Sequence, residues 1–106
     1  MSDRRRDDLL ADLLDLAREI EGYVDAWTER DFLADRGKQR TLERTLELLG
    51  EVATRLGDDA PAINVDWKAL RDLRVMLAHA YHRIDARRLW VHAARDVPSL
   101  RALLEP

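Results

Sequence analysis

The sequence predicts an all-α protein, an antiparallel four-helix bundle with a short fifth helix. Three observations predict it. Apolar residues recur at three- and four-residue steps through several long segments. The prolines fall only at breaks between those segments. No β-branched run alternates over a useful length, so nothing reads as a strand.

The first helix is expected from about Asp7 to Trp27. Leu9, Leu13, Leu16, Ile20, Tyr23, Val24 and Trp27 make its apolar stripe, and Ser2 or Asp3 could cap it. Thr28 reads as the cap of a short turn carrying Phe32 and Leu33. The second long helix is expected from about Arg36 to Leu56, with Leu42, Leu46, Leu49, Val52, Ala53 and Leu56 facing inward. Gly57 follows as its C-cap, a position that favours a residue without a Cβ. Gly50 stands inside this helix, where glycine costs about 1 kcal/mol against alanine. Close approach of another backbone would explain it.

A polar loop to Val65 comes next, and Asn64 or Asp66 starts the third helix. That helix carries Trp67, Leu70, Leu73 and Leu77 and ends near Arg83. Asp85 caps a fourth helix that runs to about Arg95. Asp96-Val97-Pro98 reads as a further cap with proline at the first helical position, and Ser99 to Leu104 is the short last helix.

A chain of 106 residues is one domain, 1–106, with a modest core that burial against a partner would supplement. Hydrophobic residues at 46% and charged residues at 37% fit neither a disordered chain nor a membrane protein. No uncharged stretch approaches the ~20 residues needed to span a bilayer, so a cytoplasmic location is expected. The net charge of -3 is unlike that of a protein coating nucleic acid. Any RNA contact must come from a local group of cations. Of the 18 basic residues 16 are arginine, whose planar fork matches phosphate. The absence of cysteine removes disulfides, thiolate catalysis and zinc–thiolate sites.

Chemistry concentrates in Arg71-Asp-Leu-Arg74-Val-Met-Leu-Ala-His79-Ala-Tyr81-His82. With Arg74 at zero on an ideal helix, Tyr81 falls at about -20°, His82 at about 80°, His79 at about 140° and Asp72 at about 160°. Arg74 and Tyr81 therefore share a face, whereas His79 shares a stripe with Asp72, which could orient its imidazole. One straight helix does not bring Arg74 and His79 together. Two copies packed against each other could, so a phosphate-handling site is expected at the interface of a homodimer.

Other groups have plainer explanations. Trp27, Trp67 and Trp90 read as core or interface anchors. His92 reads as a surface residue, as does His82 taken alone, and Arg87-Arg88 as a solvated face. No Glu/His spacing suits a metal, there is no glycine-rich phosphate loop, and no cofactor is expected. On the residues alone, the cluster can be either packing or a site.

The spacing Arg74-x4-His79-x-Tyr81 resembles the motif of HepT-type proteins of the HEPN superfamily. Its surroundings are similar too: Leu48-Leu-Gly-Glu-Val-Ala53, Trp67 seven residues before Arg74, Ile84-Asp85 after the motif, and Asp96-Val-Pro98. The resemblance implies a HEPN-like helical homodimer acting as a metal-independent ribonuclease toxin, with RNA as substrate, tRNA among the candidates. It implies Arg74 and His79 as the catalytic pair. Asp72, Arg71 and His82 are supporting candidates from their positions alone, and Asp72, where relatives often have a small residue, could orient His79 or repel phosphate. It also implies a minimal nucleotidyltransferase antitoxin of the MntA type that adenylylates Tyr81. Cleavage would leave a 2',3'-cyclic phosphate. Val75 is a departure, because many relatives carry a polar residue after the motif arginine. The alternative is a non-catalytic helical dimer that binds the nucleotidyltransferase or a nucleotide.

Overall fold

The computed structural model describes residues 2–79 and 84–105. Among these all regular structure is helical: α1 (Asp3–Ala26), α2 (Glu29–Ala34), α3 (Arg36–Leu56), α4 (Trp67–His79), α5 (Ala86–Val91) and α6 (Val97–Leu104). The smallest dimension is 19 Å. That accommodates two layers of helices whose axes lie about 8–10 Å apart.

Side-chain caps set the helix starts. Ser2 Oγ accepts from the Arg5 amide at 3.2 Å, so α1 begins four residues before its apolar stripe requires. Thr28 Oγ1 accepts from the Asp31 amide at 3.1 Å, and the turn expected around Phe32 is a six-residue helix. Asp35 caps α3 through the Lys38 amide, and Asp66 accepts from the Ala69 amide at 2.9 Å at the start of α4. Gly57 closes α3 at φ 52°, a conformation that disfavours a side chain.

α3 is the central element, packed between α1 and α4. Leu42, Leu46, Leu49 and Ala53 on α3 are wholly buried with Leu13, Ala17 and Ile20 of α1 and Phe32 of α2. Leu89, Ala93, Val97 and Leu100 bring the C-terminal helices into the same core. Two ion pairs, Arg101–Glu21 at 2.6 Å and Arg18–Glu105, set α6 antiparallel along α1. Trp27 stacks on Tyr23 with ring centroids 4.9 Å apart, and Phe32 lies 5.3 Å from Trp90. The Trp67 indole donates to the Pro61 carbonyl at 3.1 Å and ties the loop to α4. The tryptophans are thus structural anchors.

The C-terminal boundary differs from the expectation. Asp96 is itself helical, at φ -75° and ψ -40°, and makes no capping bond. The chain continues from α5 through a π-helical turn, His92–Asp96, into α6, so the two are one bulged helix. The core takes Ala93 and Val97 from one continuous helix, and the π-helical turn accommodates Pro98. A proline inside a helix removes one amide donor and crowds the preceding turn. Widening that turn, with the Val97 amide bonded to the His92 carbonyl, lets the helix pass it. His92 also departs from a plain surface role: it is half-buried, and its Nδ1 donates to Asp96 Oδ2 at 2.8 Å.

Gly50 marks the closest helix crossing. A Cβ built there would lie 2.6 Å from the Arg74 Cβ and 2.6 Å from the Leu70 carbonyl oxygen. Another backbone does approach, and it belongs to α4.

Candidate functional site

α4 is amphipathic with an unusual outer side. Leu77 is buried and, with Leu70 and Leu73, points α4 inward. Arg74 sits on one flank of that stripe, half-buried, with its Cβ over Gly50 of α3. Arg71, one turn earlier, is also half-buried. On the solvent side are His79, Asp72, Val75 and Met76, the last two 52% and 40% exposed.

Within one chain these groups satisfy themselves locally. His79 Nδ1 lies 2.9 Å from the Val75 carbonyl oxygen. A carbonyl only accepts, so Nδ1 donates this bond, and Nε2 is left without a partner among the described residues. Asp72 accepts from Lys68 at 2.6 Å rather than from His79. That hydrogen bond also raises the Lys68 ammonium above its ordinary pKa. Arg74 and His79 lie on different sides of α4, as the helical angle requires. Tyr81 and His82 fall outside the described residues.

None of four clefts formed by the described residues is lined by Arg74 or His79. The cavity between α4 and α6, about 350 Å³, is lined by Leu70, Leu73, His92 and Leu100 among others, but by neither Arg74 nor His79. Among the described residues no cluster of three or more His, Cys, Asp or Glu could hold a metal ion. Nor is any described helix long and apolar enough to cross a membrane.

One charged group near the motif helix escaped the sequence reading. Glu43 lies two turns before Gly50, about 20° from it around α3, and so shares the face that α4 covers. Its carboxyl is pushed above the usual range by desolvation, against the pull of Arg36 and Arg40. Its position seven residues from Gly50 was the available signal, but a Glu among arginines reads as a solvated face.

The described residues form an all-α bundle that presents an arginine and an exposed histidine on one helix. The chain belongs to the HepT-like ribonuclease family, which it matches over residues 13–106. It is 31% identical over 104 residues to the probable ribonuclease HepT of Thermococcus cleftensis, covering 96% of this chain and 94% of that protein. Two candidate RNases of Methanocaldococcus jannaschii are also similar. MJ1380 is 29% identical over 99% of this chain and 98% of its own length, and MJ0127 is 32% identical over 85% and 76%. No solved structure matches the chain.

Proposed function

We propose that the chain is a metal-independent ribonuclease toxin whose site forms when two copies pack through the outer side of α4. The observation that carries this is the state of that side. Among the described residues His79 Nε2 has no hydrogen-bond partner, and it stands beside exposed Val75 and Met76, within a chain of the HepT-like ribonuclease family. Exposed apolar side chains next to a histidine suit an interface that a second copy completes.

RNA supplies its own nucleophile. His79 Nε2 takes the proton from a ribose 2'-hydroxyl, whose oxygen attacks the adjacent phosphorus. The bond to the 5'-oxygen breaks, and that oxygen takes up a proton, from a histidinium or from water. The products are a 2',3'-cyclic phosphate and a 5'-hydroxyl. Arg74 holds the phosphate and stabilises the charge developing on its oxygens. Arg71 and His82 are supporting candidates, and Asp72 could turn from Lys68 towards His79 only by giving up an exposed ion pair of small worth.

Tyr81 is the proposed switch. A minimal nucleotidyltransferase antitoxin of the MntA type would transfer AMP from ATP to its phenol oxygen, releasing pyrophosphate. The added bulk and negative charge would exclude a polyanionic substrate. Val75 favours a second reading, a non-catalytic dimer that binds the nucleotidyltransferase. An exposed valine beside Arg74 can pack against a protein but cannot hydrogen-bond RNA.

Purified protein, produced without any nucleotidyltransferase and assayed in EDTA, is expected to cut RNA to cyclic-phosphate ends. His79→Ala should fold and leave RNA intact. Intact RNA after incubation with folded, unmodified wild type would favour the binding reading instead.

A further inference from the structure

We infer that Gly50 is the positioning residue for Arg74: the missing Cβ lets α4 lie against α3 at the one height that sets where the guanidinium emerges. This rests on the ribonuclease reading for its functional meaning, though not for its geometry.

Three contacts carry it. A Cβ on Gly50 would meet Arg74 Cβ at 2.6 Å, the Leu70 carbonyl oxygen at 2.6 Å and Arg74 Cα at 3.2 Å. None is the far end of a flexible side chain, so no rotamer change relieves them. Restoring ordinary carbon contact, roughly 3.5–4.0 Å, requires the α4 backbone to move by about 1 Å. The residue displaced is Arg74 itself, at both Cα and Cβ. In a site built from two copies the displacement occurs twice, once per motif helix, and shifts each Arg74 relative to the partner's imidazole.

The contrast with Gly22 isolates this effect. Gly22 is also interior to a long helix, yet a Cβ there would meet nothing within 4 Å. Both substitutions add the same helix propensity, but only one adds a collision. Gly50 also accepts a bond at its carbonyl from Thr54 Oγ1 at 2.9 Å. That bond does not need the glycine, because any residue supplies the carbonyl.

The test compares Gly50→Ala with Gly22→Ala in the full chain. RNA cleavage is followed under steady-state conditions, and the Arg74 Nε–H cross-peak is followed by nitrogen-15 NMR, identified by its loss in Arg74→Lys. Gly50→Ala is expected to unfold cooperatively, to lose about ten- to a hundredfold in kcat, as a misplacement near 1 Å can cause, and to change KM by less than about threefold. Its Arg74 cross-peak should shift, whereas Gly22→Ala should match wild type in both readouts. If the folded fraction is low, trimethylamine N-oxide restores it without touching the site.

Unchanged kcat and an unmoved cross-peak in folded Gly50→Ala overturn the inference. So does a variant that stays unfolded even with the osmolyte, since the contact then serves the fold as a whole. If wild type itself leaves RNA intact, the ribonuclease reading fails, and the cross-peak comparison still decides the positioning role.

Discussion

The two flanks of α4 are built on opposite plans. Towards α3 the helix is pressed so close that Gly50 has no room for a single carbon atom beside Arg74. Towards solvent it carries His79 and the half-exposed Val75 and Met76, with Met76 at the edge of a groove shared with Ile84 and Arg88. The inner flank is finished in one chain and fixes a cation. The outer flank presents an imidazole on a surface that a second chain could cover. On the proposed reading, this division separates the part of the site that must be rigid from the part that assembly switches on.

The largest effect should come from breaking the inner flank. Leu77→Ala removes the most buried side chain of α4 and is expected to destabilise the chain by about 2–5 kcal/mol. Urea unfolding would measure it. An equal effect from Val75→Ala would erase the distinction between the flanks, because the valine is 52% exposed.

Met76→Asp should cost single-chain stability only about 1 kcal/mol, from helix propensity and partial packing, far less than Leu77→Ala. On the proposed assembly it places a carboxylate in the interface, so sedimentation should show monomers where wild type forms dimers, with cleavage lost in parallel. A variant that sediments like wild type would move the interface away from this face.

The smallest effect concerns Glu43, on the α3 face covered by α4. Its folded pKa lies above its ordinary value because of desolvation. A raised carboxyl favours the folded state while protonated, so this contribution is present below the unfolded pKa and is lost as pH rises through the folded one. Glu43→Gln should therefore flatten the pH dependence of stability just above the ordinary carboxylate range and slightly raise stability at neutral pH. A fall at neutral pH would mean that Arg36 and Arg40 outweigh the desolvation.

Much of this was legible in the sequence, for identifiable reasons. The long helices follow from apolar spacing, because burial of one stripe is what holds them. Gly50 was legible as a close approach, because an interior glycine needs a packing reason. The separation of Arg74 from His79 followed from the helical repeat alone. The continuity of α5 into α6 was hidden. Asp96-Val-Pro98 has the same local appearance whether it caps a new helix or follows a π-helical turn, and the choice depends on how Ala93 and Val97 enter the core. The Lys68–Asp72 and His92–Asp96 pairs have an ordinary four-residue spacing. Spacing alone nevertheless points Asp72 to His79 and Asp96 to capping, because one carboxylate can serve several neighbours and spacing does not rank them. The state of Tyr81 and His82 lies outside the described residues, so their place in the site rests on the motif.

The central claim is that Arg74 of one copy works with His79 of another. Mixing Arg74→Ala with His79→Ala, each inactive alone, tests it most directly once subunit exchange has been established by mass spectrometry. Random exchange makes half of the dimers mixed, each with one intact site of two, so about a quarter of wild-type RNA cleavage should return. A mixture that exchanges subunits yet stays as inactive as either parent would contradict the shared site.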